Sequence, residues 1–111
     1  MPQVDDTLRA IAEPRRLAIL RLVASEELSA GHIAEHFEGV TRSAVSQHLQ
    51  VLKDAELISE RREGTKRLYR ASEDGLAELR RFLDQMWGDS VNLARRLAEG
   101  GDGEEEIRAV G

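Results

Sequence analysis

Two short stretches of helically spaced apolar residues, joined by a turn that contains a glycine, constrain this chain more than any other feature. The first predicted helix begins after Ser29, a good N-cap, and ends at Gly39. The second begins after Thr41 and extends to about Lys53. Its apolar residues are spaced to share one helix face: Ala44, Val45, Leu49 and Leu52. A short helix, a tight turn and a second helix are the pattern of a helix-turn-helix unit.

The pattern changes after this unit. Two short β-capable runs, 57–62 and 67–70, flank a turn that contains Gly64, which predicts a β-hairpin. Ser72 is then expected to cap a long helix over about 73–98. Such a helix would span roughly 39 Å at about 1.5 Å per residue. One small domain cannot cover that length, so part of its apolar stripe is expected to meet another chain.

Two further helices are expected before the helix-turn-helix unit. Asp5 and Asp6 can cap the first, and Pro14 suits the first turn of the second. The predicted fold class is mainly α with a small β-hairpin, a winged helix-turn-helix with a long C-terminal dimerisation helix. We expect one winged helix-turn-helix domain over 1–98 and a disordered acidic tail over 99–111.

The length and the lack of cysteine limit the alternatives. The chain has 111 residues, enough for one domain, and no cysteine, which excludes disulfides, thiolate metal sites and cysteine nucleophiles. The N-terminal segment lacks the basic and apolar regions of a signal peptide, and no apolar run is long enough to cross a bilayer. We therefore expect a cytoplasmic protein with no membrane partner.

The charge is unevenly distributed along the chain. The net charge is −5, yet residues 41–70 carry 7 basic and 4 acidic side chains, a net +3. Residues 99–111 carry 1 basic and 5 acidic side chains, a net −4. Because the local field governs binding at a surface, the basic segment is compatible with double-stranded DNA as a partner.

The second helix of the unit has a polar face opposite its apolar one. Arginine can bond a guanine edge in two places and glutamine can do the same to adenine, while serine is less selective. The predicted base-contacting residues are Arg42, Ser43, Ser46, Gln47 and Gln50. Taken alone, such a face is more often simply solvated. The basic hairpin that follows favours DNA binding.

Cations on a protruding hairpin suit phosphate contact, and hydroxyl groups near a helix N-terminus suit it as well. The predicted phosphate contacts are Thr41, Arg62, Lys66 and Arg67. A charged edge strand that resists aggregation is the alternative interpretation of the hairpin, and both can hold.

Three segments together resemble the ArsR/SmtB family of bacterial winged-helix repressors: Glu13 to Leu20, Arg42 to Ile58 and Arg62 to Tyr69. The resemblance covers about residues 5–98. It implies a homodimeric repressor that binds an inverted-repeat operator. It also implies that helix 41–53 enters the major groove and that hairpin 57–70 is the wing.

The resemblance also implies that the first and last helices form the dimer interface. The predicted interface residues are Leu8, Ile11, Leu79, Phe82, Leu83, Met86 and Trp87. Met86 and Trp87 are expected to pack there, while a small-molecule pocket at the same place stays open. The sequence identifies no small-molecule effector. At Glu56 the sequence departs from the family, which usually has glycine after the recognition helix, so a left-handed backbone or a different helix end is expected there.

Many members of this family sense metals. The positions that match the family's thiolate site are Ser29 and Gly31, and the last predicted helix has no histidine. His32 and His36, one helical turn apart, supply only two ligands. We therefore predict no metal site and no cofactor. His48 is expected to support the recognition helix by packing or hydrogen bonding.

Two other function classes, an enzyme and a protein-binding module, fit the sequence less well. An enzyme is not expected, because Ser46 and His48 do not face each other and no P-loop, nucleophile elbow or dinucleotide-binding turn is present. A winged-helix module that binds proteins instead of DNA is the alternative. Such a module would expose apolar residues at the positions of Arg42, Ser46 and Gln47 and would not need a basic wing.

Overall fold

Five helices and three short strands make up the part of the chain that the structure, a computed structural model, describes: residues 4–100. The helices are α1 (Val4–Ala12), α2 (Pro14–Ser25), α3 (Ala30–Glu35), α4 (Arg42–Asp54) and α5 (Glu73–Glu99). The strands are β1 (Leu28–Ser29), β2 (Ile58–Glu63) and β3 (Lys66–Ala71). The winged helix-turn-helix prediction is confirmed. The predicted tail over 99–111 lies almost wholly outside the described residues.

Side-chain caps lie at the start of four of the helices. The predicted cap of α5 is one of them, since the hydroxyl oxygen of Ser72 accepts from the backbone N–H of Gly75 at 3.4 Å. The carboxylate of Glu13 accepts from the backbone N–H of Arg16 at 2.8 Å and caps α2, a cap that the sequence analysis did not identify. The hydroxyl oxygens of Ser29 and Thr41 each accept from a backbone N–H three residues on, at 3.2 and 3.0 Å. The predicted caps of α3 and α4 are therefore confirmed, and they satisfy N–H groups that lack a partner within the helix.

Two predicted helix boundaries are wrong. Helix α1 already includes Val4, so Asp5 and Asp6 lie in its first turn and do not cap it. Helix α3 ends at Glu35 and not at Gly39. The N–H groups of His36 and the residue after it bond to carbonyls only three residues back, which tightens and ends the helix. Gly39 instead supplies a positive φ of 71° in the following turn.

Helix α4 ends in a Schellman motif with a glutamate at the position that glycine usually occupies. Glu56 has a φ of 59°, so of the two alternatives expected there, the left-handed backbone is the one present. The N–H of Glu56 bonds to the carbonyl of Lys53 at 2.9 Å, and the N–H of Leu57 bonds to that of Leu52 at 3.0 Å. Leu52 and Leu57 are both fully buried, which adds the apolar contact that accompanies this motif.

The three strands form one antiparallel sheet in the order β1-β3-β2. In the hairpin, Glu63 pairs with Lys66 across a two-residue turn, and Gly64 in that turn has a φ of 65°. Glycine with positive φ at the first turn position is typical of a type II′ hairpin. Strand β1 pairs Leu28 with Tyr69. This strand was not predicted from the sequence.

The core lies among α1–α4 and the start of the sheet. Its members are small or aliphatic: Ala10, Ile19, Leu20, Val23, Leu28, Ala30, Ile33, Val45, Leu49, Leu52, Ala55, Leu57 and Ile58. The chain divides after Leu79 into two units, the first being the winged-helix body and the second beginning at Arg80. Within the described part of the chain, no helix has the length and apolarity needed to span a membrane.

The start of α5 lies against the turn at Glu56. A Cβ atom added at Gly75 would lie 1.9 Å from the backbone carbonyl oxygen of Glu56, closer than any van der Waals contact permits. Gly88, in the same helix, has no heavy atom within 4 Å of the equivalent position. Glycine is therefore required at the first of these positions only.

We predict opposite effects of alanine at these two glycines. Gly75→Ala should lower the free energy of unfolding by about 1–3 kcal/mol, because the backbone of the turn must shift to admit the methyl group. Gly88→Ala should raise it by about 0.5–1 kcal/mol, because alanine is the better helix former. Urea unfolding monitored by circular dichroism measures both. Equal destabilisation by the two variants would contradict this account.

Candidate nucleic-acid interface

Helix α4 exposes every residue that was predicted to contact bases. Val45, Leu49 and Leu52 are buried on its inner face. All of the predicted base-contacting side chains are exposed: Arg42, Ser43, Ser46, Gln47 and Gln50. Contact with DNA remains a prediction for each of them.

The exposed residues of α4 form two groups. At 100° per residue, Ser43, Gln47 and Gln50 lie directly opposite the buried face. Arg42 and Ser46 lie to one side and line a groove of about 620 Å³ that α4 shares with α3 and the wing. The amide of Gln50 donates to Asp54 Oδ1 at 2.8 Å, so this side chain already has a partner within the helix.

The cations of the wing, strands β2 and β3 with their turn, differ in how far the protein neutralises them. Arg62 and Lys66 are exposed and make no ion pair within residues 4–100. The Nε of Arg67 lies 4.0 Å from a carboxylate oxygen of Glu60, so its charge is partly compensated. Thr41, the remaining predicted phosphate contact, is exposed and uses its hydroxyl oxygen to cap α4.

Arg61 is neutralised by ion pairs within the protein. Its Nε donates to Glu27 Oε2 at 2.8 Å and its Nη2 donates to Glu27 Oε1 at 2.5 Å, a two-point contact between β2 and the segment before β1. The hydrogen bonds from Arg61 lower the pKa of Glu27, and the same contact raises the pKa of Arg61. The two residues are 34 positions apart, so no local pattern in the sequence indicates the pair.

Glu60 connects the end of α4 to the wing. Its carboxylate lies 3.3 Å from Lys53 Nζ and 4.0 Å from Arg67 Nε. Burial raises the pKa of Tyr69, and the neighbouring carboxylate of Glu60 raises it further. Glu60 therefore lies close to side chains of both α4 and β3 and helps to position them. This role was not predicted from the sequence.

The histidines occupy two different settings. His48 is half-buried, and its Nδ1 lies 3.9 Å from Glu13 Oε2, on the side of α4 that faces the start of α2. The hydrogen bond from the backbone of Arg16 lowers the pKa of Glu13. His32 and His36 are exposed on α3 and after it. Within residues 4–100, no three histidine or carboxylate side chains are grouped as a metal site requires.

The residues predicted for a dimer interface differ in exposure. Leu8 and Ile11 of α1 are half-buried, as are Leu79 and Phe82 of α5. In the second unit, large apolar side chains of α5 are open to solvent: Leu83 is 47% exposed, Met86 53% and Trp87 73%. The same surface continues toward the C-terminus: Val91, Leu93 and Leu97.

Comparison with known proteins identifies the family. Residues 13–60 match the family model described as bacterial regulatory protein, arsR family. The helix-turn-helix-type transcriptional regulator Rv2034 of Mycobacterium tuberculosis is 43% identical over 100 residues, which cover 88% of this chain and 92% of that protein. The chain belongs to the ArsR family. The resemblance inferred from the sequence is confirmed, as is the expectation that the chain is not an enzyme.

Two further proteins are similar to this chain. Transcriptional repressor SdpR of Bacillus subtilis is 41% identical over 61 residues, 55% of this chain and 67% of that repressor. The homodimeric winged helix-turn-helix DNA-binding domain of Mb0332 from Mycobacterium bovis, solved by NMR, is 33% identical with a TM-score of 0.62. That similarity covers 79% of this chain and 81% of the domain. The family match itself extends from the cap of α2 into β2, and so includes α4 but not β3 or α5.

The contact between Glu60 and Tyr69 gives a prediction that uses the single tyrosine of the chain. In Glu60→Gln the phenol should ionise at lower pH than in the wild type, because the carboxylate charge that raises the pKa of Tyr69 is gone. Because the pKa of Tyr69 is higher in the folded than in the unfolded chain, the neutral phenol stabilises the fold fully below the unfolded pKa. That contribution is lost as the pH rises through the folded pKa. Titration of the phenolate absorbance measures the shift.

Glu63→Gln is the matched control for this titration. Glu63 pairs with Arg61 near the tip of the hairpin and does not contribute to the pKa of Tyr69. The Glu63→Gln variant should therefore leave the titration of Tyr69 unchanged. An equal shift in both variants would show that general charge, not the contact with Glu60, sets the pKa.

Proposed function

We propose that this ArsR-family protein is a sequence-specific regulator that binds double-stranded DNA, and that it acts as a homodimeric repressor at an inverted-repeat operator. Helix α4 would lie in the major groove and the wing would contact the flanking backbone. The observation that carries this proposal is the polar outer face of α4, held directly above a fully buried apolar face and beside a wing with unneutralised cations.

The exposed face of α4 supports a division of roles. Gln47 lies at its centre, makes no side-chain hydrogen bond within residues 4–100, and is free to bond an adenine edge in two places. Arg42 is placed to bond a guanine edge or a phosphate. Ser43, Ser46 and Gln50 complete the proposed base contacts, although Gln50 must exchange its bond to Asp54 for one to a base.

The phosphate contacts follow from the charges of the wing. Arg62 and Lys66 would contribute most, because nothing within the described residues neutralises them. Arg67 would contribute less while Glu60 stays close to it. Thr41 can still donate its hydroxyl proton, since only its oxygen is used in the cap. These contacts would supply the salt-dependent part of the affinity.

The homodimer rests on the apolar side chains of α5. A helix that exposes Leu83, Met86 and Trp87 in water is unusual for a monomer, and a second copy of the same surface would cover them. Leu79, Phe82 and the half-buried Leu8 and Ile11 are proposed to join this interface. The homodimeric domain of Mb0332 supports the assignment.

A twofold dimer explains the proposed operator. Two copies of α4 would enter successive major grooves about 34–36 Å apart, which requires an inverted repeat. The repressor name of SdpR supports repression as the outcome of binding. A protein that acts on bacterial chromosomal DNA works in the cytoplasm, which is the location that we propose.

Substitutions in α4 and in the wing should have different effects on DNA binding. Gln47→Ala should weaken binding to the preferred site by about 1–3 kcal/mol and leave binding to random duplex unchanged, because only a base contact is lost. Lys66→Ala should weaken binding to all sequences alike and reduce the slope of log K against log salt by about one. Fluorescence anisotropy titrations at two salt concentrations measure both. A Gln47→Ala protein with unchanged sequence preference would refute the proposed base-contacting face.

The dimer interface is tested with one charge placed at two positions of α5. Leu83→Glu should favour the monomer and lower operator affinity, because a charge would be buried in the apolar interface. Asn92→Glu, on the opposite side of the helix by its spacing of nine residues, should leave the dimer intact. Sedimentation equilibrium measures the mass, and the fluorescence of the single tryptophan, Trp87, should shift to the red only in Leu83→Glu. A wild-type chain that sediments as a monomer would contradict the proposal.

A further inference from the structure

The groove between α3, the N-terminal half of α4 and the wing carries more positive charge than the protein neutralises. Arg42 of α4 and Lys66 and Arg67 of β3 line it, and its volume is about 620 Å³. The side chains of Arg42 and Lys66 have no ion pair or hydrogen bond within residues 4–100. Hydroxyl groups of Ser46 and Thr65 line the same space. Cations and hydroxyl donors together suit an anion with several acceptor oxygens.

His32 reaches this groove from α3. Both backbone polar groups of His32 have partners. Its N–H donates to the hydroxyl oxygen of the cap Ser29, and its carbonyl oxygen lies 2.9 Å from the ring Nδ1 of His36. Its own imidazole is exposed and has no partner within the described residues.

The charged groups that line the groove with His32 are Glu35, also on α3, and Arg42, Lys66 and Arg67 from the two facing elements. An anion in the groove would neutralise these cations and accept a hydrogen bond from the ring, so it would favour the imidazolium.

We propose that the groove holds a backbone phosphate of duplex DNA and that His32 contacts this phosphate as an imidazolium, so that DNA binding takes up a proton. The inference rests on the proposed DNA-binding function and adds to it a contact and a pH dependence. An ordinary histidine changes charge between about pH 5 and 8, so the contact strengthens binding at the acidic end of this range and is lost as the pH rises.

The test measures operator affinity by fluorescence anisotropy at about pH 6 and about pH 8 and at constant ionic strength. The wild-type association constant should be higher at the lower pH, by at most about tenfold per pH unit for each chain, because each chain takes up at most one proton. His32→Gln should bind equally at both values, with wild-type affinity at the higher pH, because glutamine keeps a hydrogen-bond donor but gains no charge. His36→Gln is the matched control and should behave as the wild type.

Each outcome distinguishes this inference from the proposed function. If the wild type binds no duplex at either pH, the proposed function fails and the inference fails with it. If it binds without pH dependence, or if His32→Gln keeps the dependence, only the inference is overturned. Loss of the dependence in His36→Gln would also overturn it.

A direct readout is the nitrogen NMR signal of the His32 ring. Near neutral pH, addition of operator DNA should increase the protonated fraction of this ring. Inorganic phosphate at matched ionic strength should produce a smaller increase and should not displace the DNA. Equal protonation by inorganic phosphate, with loss of DNA binding, would assign the groove to a free phosphate and overturn the assignment to the DNA backbone.

Discussion

The turn that ends α4 at Glu56 is the constraint on which the rest of the winged-helix unit depends. Two backbone bonds, Glu56 to Lys53 and Leu57 to Leu52, end the helix and reverse the chain. The carbonyl of Leu57 then accepts from the N–H of Ser72 at 2.8 Å, just before α5 begins. One turn therefore sets where α4 ends, where the wing begins and where the last helix starts. A non-glycine residue in a left-handed conformation costs roughly 1–2 kcal/mol, and the buried leucines on either side offset that cost.

The wing carries less unneutralised positive charge than its number of basic residues suggests. Arg61 is bound by Glu27, and Lys53 and Arg67 lie beside Glu60. Exposed ion pairs of this kind contribute little to stability because solvent screens them, so their effect is mainly on geometry. They hold the strands of the wing against α4 and the segment before β1. The cations left over face the groove and the outer side of the wing, where a polyanion can reach them.

Several features that depend on neighbouring residues were predictable from the sequence, although the start of α1, the end of α3 and the cap by Glu13 were not. Features that depend on distant residues were not predictable. The caps Ser29 and Thr41 bond to N–H groups three residues away, and the left-handed backbone at Glu56 is one of the two alternatives that the family resemblance implied. Strand β1 has only two residues and exists because β3 pairs with it. The contact between Glu27 and Arg61 likewise appears only once the sheet brings them together, which also changes which cations are available to DNA.

The two units of the chain present different surfaces, one polar and basic and the other apolar. The winged-helix unit has a complete core of its own, yet it presents only a few unneutralised cations and one polar helix face. Such a surface alone binds weakly at physiological salt. The second unit has no buried residue in its part of α5 and exposes apolar side chains such as Trp87. Joining two chains through that surface would turn the second DNA contact into an intramolecular event, raising the affinity without any new contact to DNA. In the proposed homodimer, dimerisation and operator binding would therefore be coupled, and the apolar stripe of α5 would contribute to DNA recognition together with the polar face of α4.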